Sequence, residues 1–244
     1  LAAFFTLPVF LEQKLVHTET LVQGYYEFTA HFATINQLLF SRFWGYGPSV
    51  WMENDGMSFQ VGHIHWILSI FLVLLVLWKL VRSKNKSPLL HNTYYIILFF
   101  VIAGWFAAFM AHSRSTPLWT HFSPLKFVQF PWRFLALVIF CFSFAIGGIV
   151  LFIPNKIVRF VSLILIFGTV LFNWSYFLPQ QGKLGPLTDQ QKFSGTAWNL
   201  QRTAGILDYL PSTAKENPKD GKTSIAEIIS GKGNISNLSE GTNH

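Results

Sequence analysis

The sequence has little charge and almost no cysteine. Only 12% of its 244 residues are Asp, Glu, Lys or Arg, about half the share found in a typical soluble domain. An ordinary soluble enzyme is therefore excluded, because so few charges cannot cover a water-facing surface. The single cysteine, Cys141, excludes disulfide scaffolds and multi-thiolate metal sites.

Several catalytic motifs are also missing. The sequence contains no phosphate-binding loop, no dinucleotide-binding glycine pattern, no nucleophile elbow and no HExxH pair, so ATPase, dinucleotide-enzyme, serine-hydrolase and zinc-protease functions lack support. The long apolar runs carry no Asp, Glu or Arg near their centres. Ion-coupled transporters need such groups inside the membrane, so this class is disfavoured too.

Apolar residues dominate what is present, at 51% of the chain with 26 Phe and 9 Trp. Crossing roughly 30 Å of hydrocarbon takes about 20 apolar residues in a helix. Four runs come close to this length, at residues 64–80, 94–111, 134–153 and 160–178. They predict an all-α, multi-pass membrane bundle with four full spans. A fifth run, residues 1–11, is too short to span and is interpreted as the end of a truncated transmembrane helix.

The basic residues indicate how the bundle is oriented. The net charge of +7 would suggest nucleic acid in a soluble protein, but here basic residues without acids cluster in the connections 79–86 and 154–159. Short basic connections stay cytoplasmic. The loop 12–62 and the tail 180–244 are therefore predicted to be extracytoplasmic, and no nucleic-acid partner is expected.

Four regions follow from this pattern. They are the truncated helix at 1–11, the outer loop at 12–62, a four-helix transmembrane module at 63–179 and a soluble tail at 180–244. The tail is richer in charge, and we expect it to begin a further, β-containing domain. Its expected elements are a short helix at 198–209 and a hairpin with strands at 226–230 and 234–238.

The outer loop is too long to lack internal structure. Its apolar residues recur at helical spacing, with Glu27 and His31 near the polar edge, and predict an interfacial helix. Such a helix either rests on the bilayer or lines a substrate groove. The apolar positions are Phe28, Phe32, Ile35, Leu38 and Leu39.

The acidic pair Glu53 and Asp55 sits among turn-forming residues of the same loop. Asp55 is either a turn former or, with Glu53, a ligand of a divalent cation or half of a carboxylate pair, since carboxylate oxygens suit hard cations and serve as bases in glycosyl chemistry. The nearby Trp44 and Tyr46 are candidates for stacking on a sugar ring.

Histidines map mainly to the outer side, which raises the question of a zinc or haem site. His63 and His65 stand two residues apart, so on a helix they point in different directions and cannot hold one ion. Interfacial polar residues are the simpler interpretation. The outer-side set is His17, His31, His63, His65, His112 and His121.

The hexapeptide QFPWRF at residues 129–134 predicts a helix start, because proline favours the first helical position. Arg133 in the first turn opposes the helix dipole. It either anchors to lipid headgroups or, with Arg114 and Lys126 on the same connection, binds the phosphate of a lipid. Both interpretations remain open.

Several segments together resemble bacterial multi-pass proteins of the 6-pyruvoyl-tetrahydropterin synthase-related membrane family. They cover residues 36–41, 44–47, 55–60, 129–135 and 209–211. This family is similar in layout to GT-C glycosyltransferases, which use polyprenyl-phosphate-linked sugars at the outer membrane face. The resemblance implies a bacterial inner-membrane protein of the cell envelope, with the catalytic carboxylate upstream of this chain.

The resulting expectation is a glycosyltransferase-like module that binds the lipid phosphate and the sugar of its substrate. Membrane lipids are the further expected partners. A divalent cation is the only cofactor considered, and the catalytic residue is unknown. The alternative is a non-enzymatic scaffold or an envelope polymer or lipid export component. A metal or haem redox protein is the third class.

Overall fold

A computed structural model describes residues 3–51, 55–82 and 88–178, together with the short stretches 188–192, 194–196, 198–199, 210–214 and 230–234. These residues are mostly helical, which confirms the predicted all-α class. Extended pairing among them is limited to isolated bridges, so the described part contains no strand. The predicted tail helix lies outside the described residues except for 198–199, and the two predicted hairpin strands lie outside them except for residues 230 and 234.

The chain divides into two compact units, Leu1–Thr18 with Ile206–His244, and Glu19–Gly205. In the first unit, helix α1 (Ala3–Glu12) is followed by one 3₁₀ turn. Val16 then pairs with Pro211 in an antiparallel bridge, and the Ser212 amide donates to the Leu15 carbonyl at 2.7 Å. The interpretation of α1 as the end of a longer span stays a prediction.

The second unit is built on longer apolar helices. Its helices are α2 (His63–Arg82), α3 (Pro88–Met110), α4 (Thr116–His121), α5 (Leu135–Gly147), α6 (Val158–Phe172) and α7 (Asp189–Lys192). Short 3₁₀ turns extend α5 on both sides, giving one continuous segment from Pro131 to Phe152.

Three of these segments are long and apolar enough to cross a membrane, namely α2, α3 and the α5 segment Pro131–Phe152. They correspond to the first three predicted spans. Helices satisfy every backbone group internally, which is the requirement that hydrocarbon imposes on a spanning segment. The protein is thus a membrane protein by the length and composition of its helices.

The fourth predicted span is shorter than expected. Helix α6 has 15 residues, or roughly 22 Å at 1.5 Å per residue, and it ends at Phe172. Asn173 follows with non-helical angles, and a 3₁₀ turn continues over Trp174–Phe177. The prediction of four full spans is therefore not confirmed, because the helix is interrupted before residue 178.

Close packing of α3 against α5 forms the centre of the bundle. Gly104 on α3 lies against the ring of Phe142 on α5, and Phe142 is fully buried. Val101 and Val138 from the two helices fill the same core. Small residues at such a contact let membrane helices approach closely, which supplies the packing that holds them together.

The outer loop does not form the predicted interfacial helix. It contains a 3₁₀ turn at Phe28–His31 and a π-helical turn at Asn36–Phe40, separated by extended backbone at Phe32. The Ala33 amide donates to the Ala111 carbonyl at the end of α3, at 2.9 Å. This tertiary hydrogen bond replaces the intrahelical one, so helical spacing alone gave a wrong prediction.

Two of the five predicted apolar positions, Phe28 and Leu38, enter the core, whereas Ile35 remains exposed. Phe28 is buried and stacks on the fully buried Trp119 of α4, with ring centroids 5.3 Å apart. Leu38 is buried against the α2 side, where its carbonyl accepts from the Val61 amide at 2.9 Å. The loop therefore packs on the end of the bundle where α2 and α5 begin and α3 and α6 end. We call this the loop end.

Replacing Gly104 with alanine tests the central helix contact. A Cβ at Gly104 would lie 2.4 Å from the Phe142 ring, and the buried ring has no room to move. We expect Gly104→Ala to lower stability by about 1–3 kcal/mol, measured as a lower melting temperature in detergent.

Gly168→Ala on α6 is the matched control, since its Cβ would meet nothing within 4 Å. It should stabilise the helix slightly, by roughly 0.5–1 kcal/mol. Equal melting temperatures for the two variants would contradict the proposed packing.

Candidate functional site

Two glycine-containing segments of the outer loop form a close ribbon. The Gly47 amide donates to the Gly56 carbonyl and the Gly56 amide to the Pro48 carbonyl, both at 2.8 Å. Tyr46 pairs with Met57 in an antiparallel bridge. A Cβ at Gly47 would lie 2.7 Å from the Gly56 Cα. Glycine is required here because the two backbones approach too closely for a side chain. The turn-forming residues noted in the sequence lie in this ribbon.

Asp55 lies at the base of the ribbon with only 6% of its surface exposed. One carboxylate oxygen accepts from the Val50 amide at 2.8 Å, and the other from the Gln37 side-chain amide at 2.7 Å. These bonds support the turn-forming interpretation. Asp55 also borders a small cavity of about 90 Å³, to which Asn36 and Ser58 contribute polar side chains.

In the cavity beside Asp55, the described part of the chain offers no second acidic or histidine ligand for a divalent cation. No group of three His, Cys, Asp or Glu side chains comes together there, and Glu53 lies outside it. Asp55 with neutral oxygens is a set that hard cations accept, but one carboxylate binds them weakly. A divalent cation at Glu53 and Asp55 stays a prediction.

A buried polar network lies beside Asp55. It was not predicted from the sequence. His31 Nδ1 is 2.8 Å from the Ser49 hydroxyl, and His31 Nε2 bonds the Tyr25 carbonyl. Since a carbonyl only accepts, Nε2 carries the proton and Nδ1 accepts from Ser49. His31 and Ser49 are 1% and 2% exposed. The network positions the loop. His31 and Ser49 are 18 residues apart in the chain, so no local sequence motif could reveal their hydrogen bond.

The phenol of Tyr25 reports on the same network. Partial burial raises the pKa of Tyr25, and the neighbouring Tyr26 and the Asp55 charge act in the same direction, against a backbone hydrogen bond from Ser49. The Asp55 charge is the smallest of these influences, and burial is the largest.

Arg42 ties the loop to the end of α6. Its guanidinium donates to the Phe172 carbonyl at 2.7 Å and lies 4.0 Å from the centroid of the Phe172 ring. A cation at a helix C-terminus interacts favourably with the helix dipole. No local sequence pattern reveals this partner, which is 130 residues away.

Trp44 and Tyr46 form an exposed aromatic pair at the loop end. Their rings meet edge to face with centroids 5.7 Å apart, and 41% of Trp44 and 55% of Tyr46 remain exposed. Trp44 also meets Tyr176, at 5.3 Å, while the Tyr46 hydroxyl donates to the Leu178 carbonyl at 3.0 Å. The two candidate sugar-stacking residues are thus together, open to a ligand and held by the segment after α6.

Arg133 has a structural role that its position in the sequence did not indicate. Gln129 adopts a positive φ of 65° in a tight turn closed by the Phe130 amide and the Val128 carbonyl, at 2.7 Å. Arg133 donates to the same carbonyl at 2.8 Å and lies 4.8 Å from the centroid of the Phe130 ring. Backbone strain of this kind persists only when the surroundings enforce it. The Arg133 hydrogen bond to Val128 helps to hold Gln129 in this strained conformation. The Arg133 side chain nevertheless remains exposed to solvent.

Arg114 and Lys126 lie on the same connection as Arg133 but in separate 3₁₀ turns, at Ser113–Ser115 and Ser123–Val128. Arg114 is exposed and Lys126 half-buried. The three basic side chains share one connection at the loop end.

Three of the other outer histidines make local contacts. His63 bonds the Gln60 side chain at 2.8 Å, His65 packs against Gly62, and His112 accepts from the Arg114 amide at 3.1 Å. His63 and His65 both lie on helix α2, so their side chains point in different directions and cannot share one ion. Within the described ranges, no histidine belongs to a group of three potential metal-ligating side chains.

No family model, curated protein or solved structure matches this chain. The resemblance to the 6-pyruvoyl-tetrahydropterin synthase-related membrane family therefore remains a hypothesis that rests on the segments in which it was seen.

The electrostatic environment of Arg114 can be tested through His112. Burial, and secondarily the charge of Arg114, lower the pKa of His112 below its ordinary value of 6.5. We expect Arg114→Gln to raise this pKa, measured by histidine NMR titration in detergent, because a neutral neighbour no longer opposes protonation. Lys126→Gln is the control and should leave His112 unchanged.

The sign for stability follows from the same shift. Between the folded and unfolded pKa values of His112, the unfolded chain binds more protons, so stability is lost as pH falls through that window. Arg114→Gln should reduce this loss. An unchanged His112 titration in Arg114→Gln would show that the guanidinium does not act on the imidazole.

Proposed function

We propose that the chain is part of a GT-C-like integral membrane glycosyltransferase that uses a polyprenyl-phosphate-linked sugar at the extracytoplasmic face. In this proposal it contributes lipid-phosphate and sugar binding, and the catalytic residue lies elsewhere in the complete protein. The supporting observation is that the exposed Trp44–Tyr46 pair and the exposed Arg114 and Arg133 occur at the same end of the bundle.

The proposed orientation places the loop end outside a bacterial-type inner membrane. Lys79 and Arg82 end α2, and Lys156 and Arg159 precede or begin α6, all at the opposite end of the bundle. Basic residues at short connections favour the cytoplasmic side. The tail 180–244 then lies outside as well, where it begins the expected β-containing domain.

In this arrangement α6 and the turn after it form the fourth span. Helix α6 with the Trp174–Phe177 turn supplies apolar length, and Trp174 and Tyr176 at the outer end suit the headgroup layer. Arg42 holds this end of the helix through the Phe172 carbonyl. A shorter helix is compatible with spanning, since the bilayer thins or flanking residues adjust at modest cost.

The chemistry of the proposed site follows from its side chains. Arg133, Arg114 and Lys126 neutralise the phosphate of the lipid carrier, because charge-assisted hydrogen bonds to phosphate are strong. Trp44 and Tyr46 offer flat apolar faces against which a sugar ring can pack. Asp55 keeps the ribbon in place through Val50 and Gln37 and borders the polar cavity, where a divalent cation or a sugar hydroxyl would bind.

A non-enzymatic scaffold or envelope polymer or lipid export component is the second candidate, and α6 supports it. None of the residues of α6 is buried, and Phe160, Phe167 and Leu171 are 62–71% exposed. A helix that is apolar all round suits contact with lipid or with another membrane helix. A scaffold would use this surface to bind a partner protein.

Native mass spectrometry of the detergent-purified protein with a polyprenyl-phosphate sugar separates these functions. We expect specific binding, and we expect the Arg114→Ala, Lys126→Ala, Arg133→Ala triple variant to reduce it by about tenfold or more, since each lost phosphate contact removes a charge-assisted hydrogen bond.

The control is the double variant Lys156→Ala, Arg159→Ala at the other end of the bundle, which should bind as the original protein does. Binding no stronger than that of an ordinary phospholipid, or an equal loss in both variants, would reject the lipid-phosphate site and favour the scaffold.

A further inference from the structure

Three aromatic rings meet at the loop end, two from the outer loop and one from the turn after α6. The Trp44 ring lies 5.7 Å from that of Tyr46 and 5.3 Å from that of Tyr176, measured between centroids. Trp44 and Tyr46 are exposed, and Tyr176 is half-buried. Only Trp44 and Tyr46 were candidates for stacking from the sequence. Trp44, Tyr46 and Tyr176 together form one contiguous aromatic surface, which we call the ring platform.

Hydrogen bonds hold the ring platform in place. The Tyr176 hydroxyl donates to the Gln60 side-chain carbonyl at 2.6 Å, and the Gln60 side-chain nitrogen is 2.8 Å from His63 Nδ1 on α2. The Tyr46 hydroxyl donates to the Leu178 carbonyl at 3.0 Å. Rings that are already fixed lose little conformational entropy when a ligand packs on them. The ring platform is therefore organised by the protein itself.

Arg42 brings a positive charge to the edge of the ring platform. The centre of its guanidinium is 5.8 Å from the centroid of the Tyr176 ring. The side chain is exposed, and its hydrogen bond to the Phe172 carbonyl uses one N–H donor of a guanidinium that carries several more. Within the described residues, no carboxylate pairs with Arg42. Its other donors can therefore bind an anionic group of a ligand that lies on the rings.

The combination of rings and guanidinium favours one kind of sugar. Aromatic rings offer apolar faces against which a pyranose can pack, and a guanidinium binds a carboxylate through two parallel hydrogen bonds. In a uronic acid, the carboxylate is attached directly to the pyranose ring, so one sugar unit can contact both. A neutral sugar would leave the Arg42 donors unused. The phosphate of a lipid carrier has its own proposed site at Arg114, Lys126 and Arg133.

We propose that the ring platform and Arg42 bind a uronic acid, with the pyranose packed on the three rings and the carboxylate accepting from the Arg42 guanidinium. This inference rests on the proposed function and names the class of its sugar. It adds Tyr176 and Arg42 to the binding residues. Because Tyr176 follows α6 and the other residues belong to the outer loop, the site is complete only when the end of α6 lies against the loop.

Saturation-transfer NMR titrations of the detergent-purified protein test this inference with soluble sugars, which need no lipid. The probes are methyl glucuronide, its uncharged carboxamide and methyl glucoside. We expect methyl glucuronide to bind about tenfold more tightly than the carboxamide, which has the same shape, because a hydrogen bond between charged groups is stronger than a neutral one. Methyl glucoside should bind as weakly as the carboxamide. Glucose 6-phosphate should bind more weakly than methyl glucuronide, because its charge lies further from the sugar ring.

The variant Arg42→Gln removes the charge beside the rings. We expect it to lose the preference for methyl glucuronide over the carboxamide, while its affinity for the carboxamide stays about the same. Arg159→Gln, at an exposed position near the start of α6, is the matched control and should keep the full preference. A purely structural role of Arg42 would instead weaken the binding of both sugars equally.

The ring of Tyr176 is tested separately. Tyr176→Phe keeps the ring and should bind methyl glucuronide nearly as tightly as the original protein does. Tyr176→Ala should bind all of the sugars several times more weakly, since it removes an aromatic face. Equal affinities in the two variants would contradict a contact between this ring and the sugar. Melting temperatures in detergent verify that each variant folds.

The outcomes separate this inference from the proposed function. Equal binding of methyl glucuronide and its carboxamide, or a preference that survives in Arg42→Gln, would overturn the inference and leave the proposed function standing. Tighter binding of glucose 6-phosphate would also overturn it, in favour of a sugar phosphate. Binding of a polyprenyl-phosphate sugar without binding of any soluble sugar would overturn the inference alone, and absence of both would reject both.

A second variant decides if Arg42→Gln fails to fold. Arg42→Lys keeps the positive charge without the planar fork of the guanidinium. We expect it to retain only part of the preference for methyl glucuronide over the carboxamide. The full preference in Arg42→Lys would contradict binding of the carboxylate by the guanidinium.

Discussion

The contact between Gly104 and Phe142 is the constraint on which the rest of the second unit depends. In hydrocarbon, apolar surface alone does not bring helices together, so close packing at small residues must do so. Once α3 and α5 are joined, the end of α3 and the start of α5 lie side by side. The Ala111 carbonyl can then accept from the Ala33 amide, and Phe130 can pack against the His31 ring with centroids 4.7 Å apart. The outer loop is positioned by the ends of this helix pair.

The loop in turn holds one end of helix α6. Helix α6 has no buried residue, yet Arg42 bonds its last carbonyl and Trp44 contacts Tyr176 beyond it. These contacts fix one end of α6. The outer end of this helix therefore stays next to the exposed rings of Trp44 and Tyr46.

The sequence was sufficient to predict the three long apolar helices, because length and composition decide whether a segment can span a membrane. It predicted these helices, at 64–80, 94–111 and 134–153, to within six residues at each end. It failed in the outer loop, where the spacing of Phe28 and Leu38 mimicked a helix and tertiary hydrogen bonds favoured separate turns. Residue type singled out Asp55, Trp44 and Tyr46 as candidates, and their roles in binding stay predictions. Arg42, His31 and Ser49 were not assigned their roles, since each acts through a partner distant in the chain.

The sidedness of the loop end is the most direct test of this account. Single cysteines placed at Trp44 and at Lys156, each in a Cys141→Ser background, can be labelled in intact bacterial cells with a membrane-impermeant thiol reagent. The account predicts labelling at position 44 in intact cells and labelling at position 156 only after permeabilisation. Labelling at position 156 in intact cells, with position 44 protected until the cells are opened, would contradict an extracytoplasmic binding site.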